Sequence, residues 1–208
     1  SQMMVNIANS GYIPQVSAIM GNCAGGGAYI PALTEFVISV DKTSRMYICG
    51  PEPIKQAIHQ EVDPEELCGG YTNNAISGNT QCLAADDRDC IEKIRLYLSY
   101  MPQNCNEMPP VYLCEEDPNR LIEELDDIVP DSFNRPFDMM RVIELIADPD
   151  SLFEIQPLFA KNLITTLARL DGHSVGIIAN NPMYLAGCLD VDASDKMAHF
   201  VDTCNAFN

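Results

Sequence analysis

The chain has 208 residues, of which 47% are hydrophobic and 20% are charged. Thirty acidic against twelve basic residues give a net charge of −18, which argues against nucleic acid as a partner, since phosphate binding needs clustered Lys and Arg. There is no run of about 18 apolar residues and no secretory signal at the start, so we expect a cytoplasmic globular protein. A chain of this length can bury roughly 70% of its unfolded surface, enough for one or two small domains.

The nine cysteines do not indicate a metal site or a disulfide framework. Their number is odd, no two of them are spaced as C-x-x-C, and only three histidines are present. Zinc sites usually need paired ligands at short spacing. We therefore expect reduced thiols and no metal.

The first half of the chain alternates helices and strands. Residues 1–10 have helical spacing, with Met4, Ile7 and Ala8 on one face, and the pattern begins so abruptly that we expect further chain upstream. Residues 68–80 are polar and glycine-rich, which favours a loop. The predicted strands are residues 13–20, 36–40 and 46–49, and the other predicted helices begin at Pro51 and Pro64 and span 86–101.

The second half begins after a proline-rich, acidic stretch. We interpret residues 102–135 as a linker between a domain at 1–101 and another at 136–208. Residues 138–147 predict a helix, and the apolar runs 163–170 and 174–179 flank an Asp-Gly pair, which is typical of a hairpin. A last helix is expected to be capped by Ser194, with an inner face of Met197, Val201, Cys204 and Phe207.

The segment Cys23–Ala28 is a glycine-rich connection between a predicted strand and a predicted helix. The N–H groups at a helix start lack internal partners, and two of them aimed at one oxygen would form an oxyanion hole. The segment lacks the Gly-Lys-Ser/Thr of a phosphate-binding loop and the G-x-G-x-x-G spacing of dinucleotide binders. The simplest alternative is that these glycines only allow close packing of strand and helix.

A family resemblance runs through nearly the whole chain, in the right order, and is interrupted mainly at 102–135. The chain is similar to the β-type carboxyltransferase subunits of propionyl-CoA carboxylase and methylmalonyl-CoA decarboxylase. The resemblance implies an α/β, crotonase-like fold of ββα units, with this chain covering parts of two such domains. The segments that carry it are Ile13–Val16, Met20–Gly26, Tyr29–Thr34, Ile48–Pro51, Glu65–Leu67, Ser77–Gly78, Val175–Asn180, Ala186–Asp190 and Phe200–Asn208.

The resemblance also implies an activity and its partners. The family moves a carboxyl group between carboxybiotin, attached to a carrier protein, and the α-carbon of an acyl-CoA. One oxyanion hole holds the thioester enolate, and a second hole, for biotin, would lie beyond this sequence. The expected partners are a biotin carboxyl carrier protein, biotin carboxylase or membrane decarboxylase subunits, and copies of the subunit in a hexamer. The implied catalytic residues are Gly25 and Gly26, and the implied substrate contacts are Cys23, Ala24, Gly27, Ala28 and Tyr29.

Several alternatives remain open from the sequence. This chain has Asn73 where the family usually has a histidine, Asn22 where it usually has a proline, and Cys68 before the Gly69-Gly70 pair. Cys23 could act as a nucleophile, although no histidine is near it in sequence. The related Clp-type peptidases have a serine in the glycine loop, and none is present here. The other two interpretations are a subunit of a sodium-pumping decarboxylase and a non-catalytic assembly subunit.

Overall fold

The computed structural model describes residues 2–132 and 135–208. Contacts between Cα atoms divide the chain into two compact units. The first contains the residues up to Leu98 together with Gln103–Cys105, and the second contains Ser99–Pro102 and Asn106–Asn208. The chain therefore passes between the units at residues 99–106.

The first unit contains two parallel sheets. Strands β1 (Val16–Ile19), β3 (Phe36–Val40) and β5 (Cys82–Ala84) form one sheet in the order β1-β3-β5. Strands β2 (Asn22–Ala24) and β4 (Arg45–Tyr47) form the other. Every residue of β3 is buried, as expected for the central strand of a covered parallel sheet.

Five helices and two tight turns complete the first unit. Helix α5 packs on β3 and β5 through buried Cys90 and through Tyr97, whose ring stacks on Phe36 at 4.0 Å. The two turns are the 3₁₀ turn Gly25–Ala28, called the glycine turn below, and the π turn Thr72–Ile76. The helices are α1 (Gln2–Asn9), α2 (Tyr29–Ala32), α3 (Pro51–Ile58), α4 (Pro64–Cys68) and α5 (Asp87–Leu98).

The second unit is built on an antiparallel sheet. Strands β7 (Leu163–Leu170) and β8 (His173–Asn180) form a hairpin closed by Asp171-Gly172, and β6 (Phe153–Ile155) pairs with the outer edge of β7. The hairpin therefore confirms the Asp-Gly prediction. The helices of this unit are α6 (Glu124–Ile128), α7 (Met139–Ile146) and α8 (Val191–Ala206).

The core of the second unit contains a charged group. Lys196 of α8 is 2% exposed. Its Nζ donates to the carbonyl oxygens of Leu163 at 2.7 Å and of Gln156 and Phe159 at 2.9 Å each, with Ala160 at 3.5 Å. These acceptors satisfy an ammonium that would otherwise be costly to bury, and they join α8 to the loop between β6 and β7.

The structure corrects several local predictions. The last helix begins earlier than expected and is capped by Asp190, which accepts the N–H of Ala193, whereas the hydroxyl of Ser194 donates back to the carbonyl of Asp190. The cap thus lies four residues upstream of Ser194. Of the four residues expected on the inner face of α8, Phe207 is buried, Met197 and Cys204 are half-buried, and Val201 is 46% exposed. The buried residues within the helix are Ala193, Lys196 and Phe200.

The first unit also departs from the sequence pattern. Residues 68–80 were expected to be a loop, but they contain the end of α4 and the π turn. Helix α1 is present as predicted, but its apolar residues Met4 and Ile7 are 63% and 48% exposed. Strands β2, β5 and β6 were not predicted, because three residues are too few to show a period of two.

The stretch 102–135 is mostly irregular. Its proline-rich part has no helix or strand, and α6 is its only regular element among the described residues. From Asn106 onward the described residues belong to the second unit, so the stretch is not evenly shared between the two. The assignment of 1–101 and 136–208 to two carboxyltransferase domains stays a prediction.

Candidate active site

The glycine turn follows β2 directly. The backbone of Ala24 is extended, with φ −117° and ψ 148°, and Gly25 then takes a φ of +58°, which directs the chain into the turn. A residue with a Cβ is strained at that φ, so this position favours glycine. The local sequence thus ends a strand and starts a helical turn within two residues.

The N–H groups of Gly25 and Gly26 open this turn. In a 3₁₀ turn each N–H pairs with the carbonyl three residues earlier, so the first ones have no partner inside the turn. Within residues 2–132 and 135–208, neither N–H donates a hydrogen bond beyond the turn and its strand pairing. A Cβ built on Gly25, Gly26 or Gly27 meets no atom within 4 Å. The turn therefore borders open space that ligand atoms could occupy.

Strand β4 brings a second chain segment to the glycine turn. It pairs in parallel with β2, so that Cys23 lies opposite Met46 and Ala24 opposite Tyr47. Because parallel strands end at the same edge, the residues after β4 lie near Gly25. Ile48 is 65% exposed there, and Gly50 packs so closely on the ring of Tyr47 that an added Cβ would be 2.6 Å from it.

The Cys23 thiol is a poor nucleophile in this structure. The residue is half-buried, and burial raises the pKa of its thiol above the ordinary value of 9.0. Since the thiolate is the reactive form, burial disfavours the interpretation of Cys23 as a nucleophile.

The other predicted substrate contacts surround the turn but differ in exposure. Ala24 and Gly27 are exposed, and the Tyr29 side chain is 44% exposed at the start of α2. The Ala28 side chain is 4% exposed and faces the core. Any contact of Ala28 with a ligand would therefore involve its backbone.

A CoA phosphate would need basic side chains near it, and Lys42, Arg45 and Lys55 are three such residues of the first unit. Arg45 lies 3.8 Å from Glu65 and Lys55 lies 2.6 Å from Glu61, so each already has an acidic partner. The Lys42 side chain is 85% exposed and lies 4.0 Å from Asp41. Lys42 is thus the most accessible of the three.

Sequence reasoning missed the surroundings of Asn73. The side chain is 7% exposed and donates to backbone carbonyls, one of them in β4. The departure from the family pattern was visible in the sequence, but its contact with β4 was not. An isolated asparagine in a polar, glycine-rich stretch gives no signal of burial.

The family of this chain follows from comparison with known protein families. The chain belongs to the Carboxyl transferase domain family, which matches residues 3–208. The resemblance seen in the sequence is therefore confirmed.

The relatives found by sequence are named either as decarboxylase subunits or as carboxylase subunits. The chain is 48% identical to the methylmalonyl-CoA decarboxylase subunit alpha of Propionigenium modestum, over 98% of this chain and 39% of the relative. It is 43% identical to the propionyl-CoA carboxylase beta chain of Roseobacter denitrificans, over 97% of this chain and 40% of the relative. The chain thus spans about 40% of the length of these curated relatives.

Solved structures confirm the crotonase-like α/β fold. A crystal structure of transcarboxylase 12S, described as a hexamer assembly with hydrolysed methylmalonyl-CoA bound, matches with a TM-score of 0.96 and 40% identity, covering 100% of this chain and 40% of that one. A single-chain, multi-domain long-chain acyl-CoA carboxylase matches with a TM-score of 0.81 and 26% identity, covering 99% of this chain and 20% of that one.

The described residues contain neither a candidate membrane helix nor a candidate metal site. No helix in residues 2–132 or 135–208 is both long enough and apolar enough to cross a membrane. In the same ranges, no group of three His, Cys, Asp or Glu side chains is arranged to hold a metal ion. The nine cysteines all lie in these ranges, and none forms a disulfide.

Proposed function

We propose that the protein containing this chain transfers a carboxyl group between carboxybiotin and the α-carbon of a short acyl-CoA, of the propionyl-CoA and methylmalonyl-CoA type. The observation that carries the proposal is the carboxyl transferase match over residues 3–208. Relatives of this chain are named for these two acyl-CoA compounds, one as a decarboxylase subunit and one as a carboxylase subunit. Biotin supplies the transferable carboxyl group when its carrier is bound.

Gly25 and Gly26 act in this proposal on the acyl-CoA. Removing a proton or a carboxyl group from the α-carbon leaves negative charge on the thioester oxygen, and two fixed N–H donors stabilise that charge. The open space in front of Gly25, Gly26 and Gly27 leaves room for the thioester. Cys23, Ala24, Gly27, Ala28 and Tyr29 border the substrate.

The glycine turn has no acid or base of its own. Residues 21–34 contain no Asp, Glu or His. The turn therefore provides charge stabilisation without proton transfer, and the proton would be taken by the biotin side of the reaction, as the family resemblance implies. No residue of this chain is assigned to hold biotin.

The proposal is tested by assaying the full-length subunit. Purified protein is incubated with methylmalonyl-CoA and free biotin, and loss of the substrate carboxyl group is followed. We expect turnover by the full-length subunit and none by the isolated 208-residue chain, because the family resemblance implies a second hole for biotin to which no residue of this chain is assigned. Equal activity in the two samples, or no loss of the carboxyl group from methylmalonyl-CoA with the full-length protein, would overturn the assignment.

A second candidate is the same chemistry in the decarboxylating direction. Identities of 48% and 47% to methylmalonyl-CoA decarboxylase alpha subunits, against 43% to 46% for carboxylase subunits, favour it slightly. The partners would then be a biotin carrier protein and membrane decarboxylase subunits, in place of biotin carboxylase. Release of CO₂ from methylmalonyl-CoA by the native complex without ATP would support this direction, whereas ATP-dependent fixation of bicarbonate would support the carboxylase.

The same proposal includes an oligomer of the subunit, with a hexamer as the expected form. The hexamer in the description of transcarboxylase 12S supports it, together with the 40% identity between the two chains. Light scattering of the full-length subunit measures its mass directly, and a monomeric active enzyme would contradict this part. A non-catalytic assembly role would give a hexamer without turnover.

A further inference from the structure

The buried side-chain amide of Asn73 donates hydrogen bonds to three backbone carbonyl oxygens. Its Nδ2 lies 2.9 Å from the oxygen of Cys68, 3.2 Å from that of Gly69 and 3.2 Å from that of Met46. The first two contacts are local to the chain, whereas Met46 belongs to β4. A primary amide offers two N–H donors, which is enough to hold the local turn and the strand at once.

The segment before Asn73 lies close to the start of β4. A Cβ on Gly70 would lie 2.6 Å from Oγ of Ser44 and 2.9 Å from the carbonyl oxygen of Val40. A Cβ on Gly69 would collide with the side chain and backbone of Glu65. Gly69 also forms an isolated antiparallel bridge with Arg45, the first residue of β4. Gly70 therefore lets this segment lie close to the end of β3 and to Ser44, the residue before β4, and the bridge of Gly69 joins the segment to β4 itself.

The backbone of Asn73 is fixed as firmly as its side chain. Its N–H donates to Gly69 at 3.0 Å, and its carbonyl accepts the N–H of Thr80 at 3.1 Å. It lies in the π turn, where the N–H of Ser77 donates to Thr72 at 3.1 Å, five residues earlier. Single π turns are uncommon and recur at functional sites.

Strand β4 needs such an anchor because of what it supports. It is the one described strand paired with β2, and a two-stranded sheet has little stability alone. Met46 lies opposite Cys23, two residues before Gly25. A shift of β4 therefore moves β2 and the glycine turn with it.

We propose that Asn73 is a positioning residue for the N–H donors of Gly25 and Gly26, acting through Met46 of β4 and Cys23 of β2. It does not touch the substrate. This inference rests on the proposed function, since it assumes that the glycine turn stabilises charge on the thioester oxygen.

The test compares Asn73→Ala with Asn74→Ala in the full-length subunit. Asn74 is the matched control, because it lies in the same π turn, is 0% exposed, and donates to Thr80 at 2.9 Å instead of to β4. Asn73→Ser, which keeps one donor, serves if the alanine variant does not fold. For each variant, kcat and KM for methylmalonyl-CoA are measured per folded subunit, together with amide hydrogen exchange of residues 22–28 and 45–47.

We expect Asn73→Ala to lower kcat about tenfold or more, with a smaller change in KM, because displaced donors are missed most in the transition state. Exchange in both segments should become faster, and Asn74→Ala should change neither kcat nor this exchange. Asn73→Ser should fall between wild type and alanine.

Unchanged kcat per folded subunit, or unchanged exchange at 45–47, in Asn73→Ala or Asn73→Ser would overturn the inference. An equal loss of kcat in Asn74→Ala would also overturn it, since the effect would then belong to the turn as a whole. An inactive wild-type subunit would refute the proposed function alone. The exchange of residues 22–28 would still decide whether Asn73 holds the glycine turn in place.

Discussion

The carboxylate of Asp148 accepts a hydrogen bond of 2.7 Å from the N–H of Gly172. It also accepts one of 3.0 Å from Asp171, so that a single side chain fixes the tip of the β7–β8 hairpin. Burial acts to raise the pKa of this carboxyl, but hydrogen bonds from Gly172, Asp171 and the Cys114 thiol outweigh it and hold the pKa below its usual value. The hairpin is thus stabilised by a group that must stay ionised.

We expect Asp148→Ala to lower the free energy of unfolding by about 1–3 kcal/mol, because the buried N–H of Gly172 and the part-buried N–H of Asp171 lose their acceptor. Urea denaturation followed by circular dichroism measures this value. Asp150→Asn is the control, since Asp150 is exposed on the same loop and asparagine tolerates its φ of +53°. Equal stability of the two variants would contradict the role of Asp148.

The same carboxyl predicts a dependence on pH. Because its pKa is lowered in the folded state, the unfolded chain takes up the proton first as the pH falls. The stabilisation is therefore complete above about pH 4, the ordinary range of an Asp, and is lost progressively below it. Asp148→Asn removes the titration, so the difference in stability between wild type and variant should shrink as the pH falls from 5 to about 3. A constant difference would contradict the prediction.

Gly26→Val is expected to separate activity from stability. A Cβ at Gly26 meets no atom within 4 Å and its φ is not positive, so the fold should lose little. The added side chain would enter the space assigned to the thioester, and we expect turnover to fall about 100-fold, the order seen when one oxyanion donor is lost. Gly21→Ala, at an equally open glycine between β1 and β2, should retain activity. Normal turnover of Gly26→Val would exclude the glycine turn as the catalytic site.

Lys196→Met should be one of the most destabilising single changes in the second unit. Methionine keeps most of the length and the apolar stem but leaves the carbonyl oxygens of Gln156, Phe159 and Leu163 without their shared donor. We expect a loss of about 2–4 kcal/mol, from the cost of several unsatisfied buried acceptors. Thermal and urea unfolding measure it, and Lys161→Met, at an exposed lysine of the same loop, should be neutral. A loss below 1 kcal/mol would show that water replaces the ammonium.

The contact between Arg169 and the Tyr112 ring predicts how substitutions of Tyr112 affect stability. Loss of the Tyr112 hydroxyl should be tolerated, whereas loss of its ring should not. Its guanidinium lies 4.2 Å from the centre of the Tyr100 ring and 4.0 Å from that of Tyr112, and it donates to Ser99 Oγ at 2.8 Å. We expect Tyr112→Phe to be neutral and Tyr112→Ala to cost about 1 kcal/mol of stability, since the ring face provides the attraction. Equal stabilities for the two variants would argue against the cation–π contact.

Much of the fold was predictable because its elements carry local signals. The Asp-Gly pair located the hairpin, and helical spacing located α5, which begins one residue later than expected. The cap of α8 was misplaced because Asp190 and Ser194 are both good capping residues, and only tertiary contacts choose between them. Asn162 makes that choice, since its amide lies 3.2 Å from Asp190.

The candidate site was predictable in part for a similar reason. A glycine run between a strand and a helix is visible in sequence, and so the turn at Gly25 could be located. The strand that supports it, β4, is three residues long, and its contact with Asn73 joins positions 27 apart in the chain. No periodic pattern in the sequence predicts such a contact, because the two positions become neighbours only in the folded chain.

The hairpin has a consequence for the order of folding. Its partners run from the adjacent pair Leu170 and His173 outward to Leu163 and Asn180, so each new pair closes only a short loop. The parallel sheet of the first unit must instead join Val16 to Phe36 and Ile38 to Cys82, positions 20 and 44 apart in the chain. Local antiparallel pairing forms in microseconds, whereas distant pairing is slower. During refolding, the second unit should therefore acquire protected amides first, and the glycine turn should form only after a late step that assembles β1, β3 and β5.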